Sequence, residues 1–359
     1  MLEPPYNHTA ETTSFFLVGI PGLQSSHLWL AITLTAMYAI VLLGNTLIIT
    51  VIWMDSTLRE PMYYFLCVLA AVDIVMASSV VPKMMDIFFL GNGSISFYAC
   101  FTQMYFVHAA TAVETGLLLA MAFDRYVAIC KPLHYKTILT PQVMLGMCVV
   151  IIIRAAIFMT PLSWMVSHLP FCGSNVVLHS YCEHIAVAKL ACADPMPSSL
   201  YSMIGSSIIV GSDVTFIAAS YNLILQAVFS LSSKNAQLKA LSTCGSHVGV
   251  MALYYLPGMA SIYVAWIGKG LVPLHTQVLL ADLYLVIPPT LNPIIYGLRT
   301  KQIRERTSNL LMRCLFNQCT RGSRDTAIGI QHLSSAWHVL LLKLHSKSML
   351  SHLTDTLGP

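Results

Sequence analysis

Charge is scarce in this chain. Asp, Glu, Lys and Arg make up 9% of its residues, against about 25% in an ordinary water-soluble domain. With a hydrophobic share of 56% over 359 residues, a water-soluble fold would lack the polar surface to cover itself. No Gly-rich phosphate loop, paired cysteine motif of zinc spacing or nucleophile elbow occurs, which removes the usual grounds for a nucleotide, zinc or hydrolase function. A cleavable secretory signal is missing as well. The stretch SFFLVGIPGL at 14–23 is short, has no basic flank and is broken by Gly19, Pro21 and Gly22, whereas a signal needs a positive start and a longer apolar core. The first spanning helix is expected to serve as the insertion signal instead.

Long apolar runs are abundant. A helix crosses the bilayer in about 20 residues, and such stretches lie near 28–53, 61–86, 98–124, 142–165, 199–230, 240–264 and 273–297, the fifth interrupted by Asp213. Backbone groups in lipid must be satisfied within their own segment, which favours helices. The short alternating segments of a β-barrel are absent. The fold class is therefore an all-α membrane protein, a seven-helix bundle. Lys and Arg crowd the connections after spans one, three, five and seven, while the opposite side holds Lys189, Lys269 and, near a helix end, Lys83. That bias puts the N-terminus outside and the tail in the cytoplasm. The expected organisation is an outer segment 1–27, a bundle 28–297, an amphipathic helix 298–316 on the inner leaflet and a disordered cytoplasmic tail 317–359.

Two glycosylation sequons, at Asn7 and Asn92, fall on the outer face, Asn92 close to the bilayer. Cys100, Cys172, Cys182 and Cys192 fall there too, where disulfides persist. Four cysteines allow three pairings. Cys100 with Cys182 would pin the long outer loop over the bundle, leaving Cys172 with Cys192 to close a small hairpin.

Topology alone does not give function, but the helix ends carry motifs. PMYYFLCVLAAVD (61–73) opens span two and MAFDRYVAICKPLHY (121–135) closes span three. Ser220–Tyr221 lies in span five, KALSTCGSH (239–247) opens span six, and PPTLNPIIYGLRTKQIRE (288–305) closes span seven. Together, over roughly residues 10–317, they resemble the olfactory receptors among rhodopsin-like G-protein-coupled receptors. The ending and the four-cysteine loop are similar to the class I, fish-like branch, close to subfamily 52.

The resemblance implies a receptor without enzymatic activity and without a cofactor. It would sit in the plasma membrane of olfactory cilia, bind a small volatile odorant and activate a stimulatory, olfactory-type heterotrimeric G-protein that raises cyclic AMP. Membrane lipid would be a further partner, and nucleic acid would not be one. A related receptor sensing a metabolite outside the nose is the alternative. A transporter would usually show internal repeats, and none is visible. The resemblance also assigns roles. Asp124 would hold Arg125 at rest, beside Tyr126, until the sixth helix moves away; Tyr221, Lys239, His247, Asn292, Pro293 and Tyr296 would take part in that switch. Asn45, Asp73 and Glu114 form an intramembrane polar hub. Asp73 is about 18 Å into span two at 1.5 Å per residue, and Asp73 with Glu114 would suit a sodium ion or a shared proton; no other metal is expected.

The odorant pocket implied by the family lies in the outer half of the bundle, with Met104, His108, Ala112, Ser207, Tyr255, Met259, Ile262 and Trp266 as linings. Class I receptors for carboxylic acids commonly carry an Arg where Trp266 stands. An indole cannot make a bidentate contact with a carboxylate, so a neutral or weakly polar odorant is expected, with Lys269 as a possible substitute cation.

Overall fold

A computed structural model of the chain describes residues 13–55, 57–58, 60–230, 232–267, 271–300 and 302–308. Asn7, Lys269 and the tail past 308 lie outside the described residues, and for Lys239 and Trp266 only the backbone is described. The helices are α1 (His27–Met54), α2 (Pro61–Leu90), α3 (Phe97–Cys130), α4 (Tyr135–Ile138), α5 (Pro141–Ser167), α6 (His184–Ala188), α7 (Met196–Phe229), α8 (Lys234–Ile267) and α9 (Leu274–Arg299). All but α4 and α6 are long and apolar enough to cross a membrane. A helical stretch at 302–308 belongs to a unit separate from the bundle.

Several helices outrun their apolar cores. The 34 residues of α3 span about 51 Å at 1.5 Å per residue, against a hydrocarbon layer of about 30 Å. Hydropathy placed the end of span two at 86, the end of span three at 124 and the start of span six at 240, whereas α2 runs to Leu90, α3 to Cys130 and α8 begins at Lys234. A helix stops where its end groups find caps, not where lipid ends. Gly91 closes α2 with φ of 66°, a left-handed conformation that glycine adopts cheaply. The Ser96 hydroxyl opens α3 by accepting from the Ala99 N–H, and Thr140 with Pro141 opens α5. Asp124, Arg125 and Tyr126 thus sit inside α3, more than a turn before its end.

α3 is the central helix, packing against α2, α5 and α7. Its buried residues surround it on all sides, from Cys100 and Met104 to Leu117, Met121 and Val127. Peripheral helices instead show apolar side chains outward, such as Leu43 on α1 and Leu145, Ile157 and Trp164 on α5, where lipid rather than water covers them.

A small sheet caps the outer face. Strand β1 (Ser14–Leu17) lies between β2 (Ser94–Ser96), antiparallel with Phe15 opposite Ile95, and β3 (Val176–Val177), parallel with Phe16 opposite Val176. The N-terminal segment is therefore partly a strand. Phe15 drives this: it is buried, with ring centroids 5.3 Å from Phe171, 5.9 Å from Phe97 and 6.3 Å from Phe101. Gly93 admits the strand, since a Cβ there would strike the Leu17 carbonyl oxygen.

Candidate functional site

At the cytoplasmic end, Arg125 donates through Nε (2.9 Å) and Nη2 (2.6 Å) to one oxygen of Asp124, whose other oxygen accepts from the Tyr135 hydroxyl at 2.7 Å. Tyr135 was not singled out from the sequence; it opens α4, and the chain reversal at Lys131–His134 brings it back beneath α3. Tyr221, His247 and Tyr296 gather near Arg125 from α7, α8 and α9. All are buried, the His247 and Tyr296 rings lie 6.1 Å apart, and neither hydroxyl nor either imidazole nitrogen has a hydrogen-bond partner. Tyr126 is half-buried. Removing the Tyr135 hydroxyl deletes a hydrogen bond to a charged group, a contribution of about 1.5–3 kcal/mol. Tyr135→Phe is therefore expected to loosen the Asp124 clamp and lower the thermal midpoint of the purified protein; an unchanged midpoint would contradict this.

Asp73 is fully buried and accepts from Asn292 Nδ2 through both oxygens at 3.1 Å. Glu114 interacts with it across the α2–α3 interface. Asn45 is not part of this contact. Its Nδ2 donates to the Val41 carbonyl (3.0 Å) and the Pro289 carbonyl (3.2 Å). The reason lies in Pro293, which has no N–H to offer the carbonyl four residues before it; Asn45 of α1 supplies that missing donor. Gly44 lets the helices close here, because a Cβ would meet Pro293 Cβ at 2.7 Å.

Between α3, α5 and α7 lies a cluster that the sequence reading missed. Arg154 on α5 forms a two-pronged ion pair with Asp213 on α7, Nη1 to Oδ1 at 2.6 Å and Nη2 to Oδ2 at 2.9 Å. Nη2 also donates to the Ala112 carbonyl and the Thr115 hydroxyl of α3, both at 3.2 Å. The Tyr255 hydroxyl of α8 reaches the Thr115 carbonyl at 3.4 Å. Gly116 makes room, since a Cβ would come within 2.7 Å of Ile151 and 2.9 Å of the guanidinium. The available signal was one lone base in span four and one lone acid in span five, charges that lipid forces to pair.

Of the expected pocket linings, Met104, Ala112 and Tyr255 are buried, and His108 and Ile262 half-buried. Ser207 does not join them. The buried stripe of α7 runs through Gly205, Ile209 and Asp213 at four-residue spacing, and Ser207 lies two residues off it, on the opposite face, where it is exposed. Met259 is also 37% exposed.

The outer loop closes over this region. Disulfides join Cys100 to Cys182 (Cα–Cα 5.4 Å) and Cys172 to Cys192 (5.9 Å). Gln103 adds a second tie, accepting from the Cys182 N–H at 2.8 Å and donating to the Ser79 carbonyl at 2.8 Å. Asn92 is held by its own neighbours: its Nδ2 donates to Asp86 and its carbonyl accepts from Lys83.

In the loop, burial pushes the imidazoles of His179 and His184 down to about 3, with Lys189 near the first and His108 near the second adding to the effect. A free imidazole titrates near 6.5, so the unfolded loop takes up protons that the folded loop refuses. The stability these groups contribute is present above pH 6.5 and lost as pH falls toward 3. Glu183, held above the usual carboxylate range by burial, opposes them, its contribution fading as pH rises. With two groups against one, acidification from pH 7.5 to 5 is expected to loosen residues 179–188. Hydrogen exchange, corrected for intrinsic rates, reads this directly; protection that stays constant would contradict it.

Seven spanning helices, an Asp-Arg-Tyr triplet clamped on the central one and an Asn-Pro pair tied to a mid-membrane aspartate define a rhodopsin-like G-protein-coupled receptor. Residues 34–314 match the family model for the olfactory receptor. Human Olfactory receptor 52I2 is 79% identical over 324 residues, 90% of this chain and 93% of that one. Human Olfactory receptor 52I1 is 78% identical over 90% of this chain and all of its own length, and Olfactory receptor 51E2 of Rattus norvegicus is 44% identical over 82% and 91%. The chain belongs to the olfactory receptor family. It is a multi-pass protein of the plasma membrane that works as an odorant receptor, and its family is one of receptors rather than enzymes.

Proposed function

We propose that an odorant held in the outer half of the bundle drives α8 away from α3, and that Arg125 then leaves Asp124 to activate a stimulatory G-protein and raise cyclic AMP. The observation that carries this is the surplus of bonding capacity around Arg125. Its present partner is Asp124, while Tyr221, His247 and Tyr296 stand close by with unused buried hydroxyls and nitrogens. Unpaired buried polar groups are costly, so a second arrangement in which the guanidinium turns to the tyrosines has partners waiting. An arginine's rigid, permanently charged fork suits two alternative partner sets.

Asp73, Glu114 and Asn292 form the hub above this switch. Two buried carboxyls in contact do not both keep a bare charge, so the pair carries a proton or a cation such as sodium between them, and gaining or losing it biases α2 against α3. The Arg154–Asp213 pair keeps α5, α7 and α3 together while α8 moves, and Tyr255, bonded to Thr115, couples ligand to that frame.

The test is cyclic AMP in cells expressing this chain with the olfactory G-protein, across odorants of several chemical classes, beside Arg125→Ala. A dose-dependent rise in the wild type, lost in Arg125→Ala at matched surface expression, is expected. A rise that persists in the variant would overturn the role given to Arg125.

A further inference from the structure

Under the outer loop, buried polar atoms collect that the chain itself does not satisfy. Asp282 on α9 is 5% exposed, and neither carboxyl oxygen has a hydrogen-bond partner. Ser180, fully buried in the loop, approaches it without completing a hydrogen bond, and Tyr181 faces the same carboxyl. Four residues along, His184 is 1% exposed with both ring nitrogens unpartnered. Its ring centroid lies 6.4 Å from that of His108 on α3, whose buried Nε2 is unpartnered too.

Each such group costs about 1–3 kcal/mol when left unbonded, and more when charged. Asp282 with Ser180, contributed by α9 and the loop, marks a place shaped for something the chain does not supply, and His184 with His108 makes a second such pair. Among the described residues no Lys or Arg pairs with Asp282: Arg154 is taken by Asp213 and Lys83 by Asp86. Lys189, the basic residue of the loop, is exposed and approaches His179 and Glu183. What Asp282 lacks is therefore a hydrogen-bond donor, and a positive charge in particular.

We propose that Asp282 is the anchor for the odorant's head group, and that this receptor takes a protonated alkylamine, with the Ser180 hydroxyl oxygen receiving one of its remaining N–H groups. This rests on the ligand site proposed above and names its chemistry. An ammonium has three donors and no acceptor, which matches a carboxyl and a hydroxyl oxygen. A carboxylate odorant would bring acceptors and a second negative charge against Asp282.

The experiment is thermal unfolding of the purified full-length receptor in lipid nanodiscs, titrated with n-alkylamines from butylamine to decylamine and with the matching alkanols and alkanoates. Saturable stabilisation by an amine, absent with the alkanoate of equal length, is expected. Asp282→Asn should weaken amine binding roughly tenfold or more, as loss of a charge-assisted contact does, while Asp282→Glu, which keeps the charge, retains most of it. Ser180→Ala, a smaller change, should weaken it less and guards against a misfolded Asp282 variant. Equal stabilisation by the alkanoate, amine binding undiminished in Asp282→Asn, or no binding by any amine overturns the proposal. Cyclic AMP measured in parallel separates the two ideas. An amine that binds without signalling defeats the coupling mechanism and leaves the anchor standing; odorants that signal through Arg125 while amines never bind do the reverse.

Discussion

Arg154→Leu is expected to remove most receptor from the cell surface. The substitution leaves Asp213, whose side chain is 1% exposed, as an unpaired carboxylate amid lipid-facing helices. Breaking one side of a buried ion pair costs about 3–5 kcal/mol, a large part of the 5–15 kcal/mol that holds a typical domain folded. The converse change, Asp213→Leu, should be milder, because the Arg154 side chain is 23% exposed and keeps its donations to the Ala112 carbonyl and the Thr115 hydroxyl. Replacing both residues by leucine should recover much of the loss, since well-packed apolar residues often match a buried pair in stability. Surface labelling and thermal unfolding of the two single variants and the double variant check this. Near-normal expression of Arg154→Leu, or a double variant worse than either single one, would remove the ion pair from the frame of the bundle.

The second large effect concerns the outer loop. Cys100–Cys182 closes 82 residues of chain and Cys172–Cys192 closes 20. Loop-closure entropy makes these worth about 4.5 and about 3.3 kcal/mol. The first pair also lies where more depends on it. Cys182 is fully buried in the same apolar cluster as Met104 and Val187, and its N–H is held by Gln103. Cys182→Ser should therefore lower the thermal midpoint and surface expression more than Cys192→Ser. Combining Cys182→Ser with Gln103→Ala should free the loop from α3 and abolish odorant responses. Equal losses from the two single variants would contradict both the loop-closure ranking and the anchoring at α3.

How far the sequence alone reaches follows from which forces are local. Hydrocarbon admits only segments that bond their own backbones, so seven apolar runs determined seven helices, and the placement of Lys and Arg determined their orientation. The motifs at the helix ends likewise determined the family, because they are contiguous strings on single elements. Helix ends were less accessible: Gly91, Ser96 and Thr140 set them by capping, a local cue that hydropathy does not weigh. Tertiary structure alone decided which side chains meet. Arg154 finds Asp213 from 59 residues away, Tyr135 returns to Asp124, and Asn45 serves Pro289 rather than Asp73. Strand β1 exists because β2 and β3 lie on either side of it, since a lone strand has no partner for its backbone. Each of these contacts depends on how a helix is rotated about its own axis or how a loop is routed. That is settled by close packing among α1, α2, α3, α5, α7, α8 and α9, and no single stretch of chain contains it.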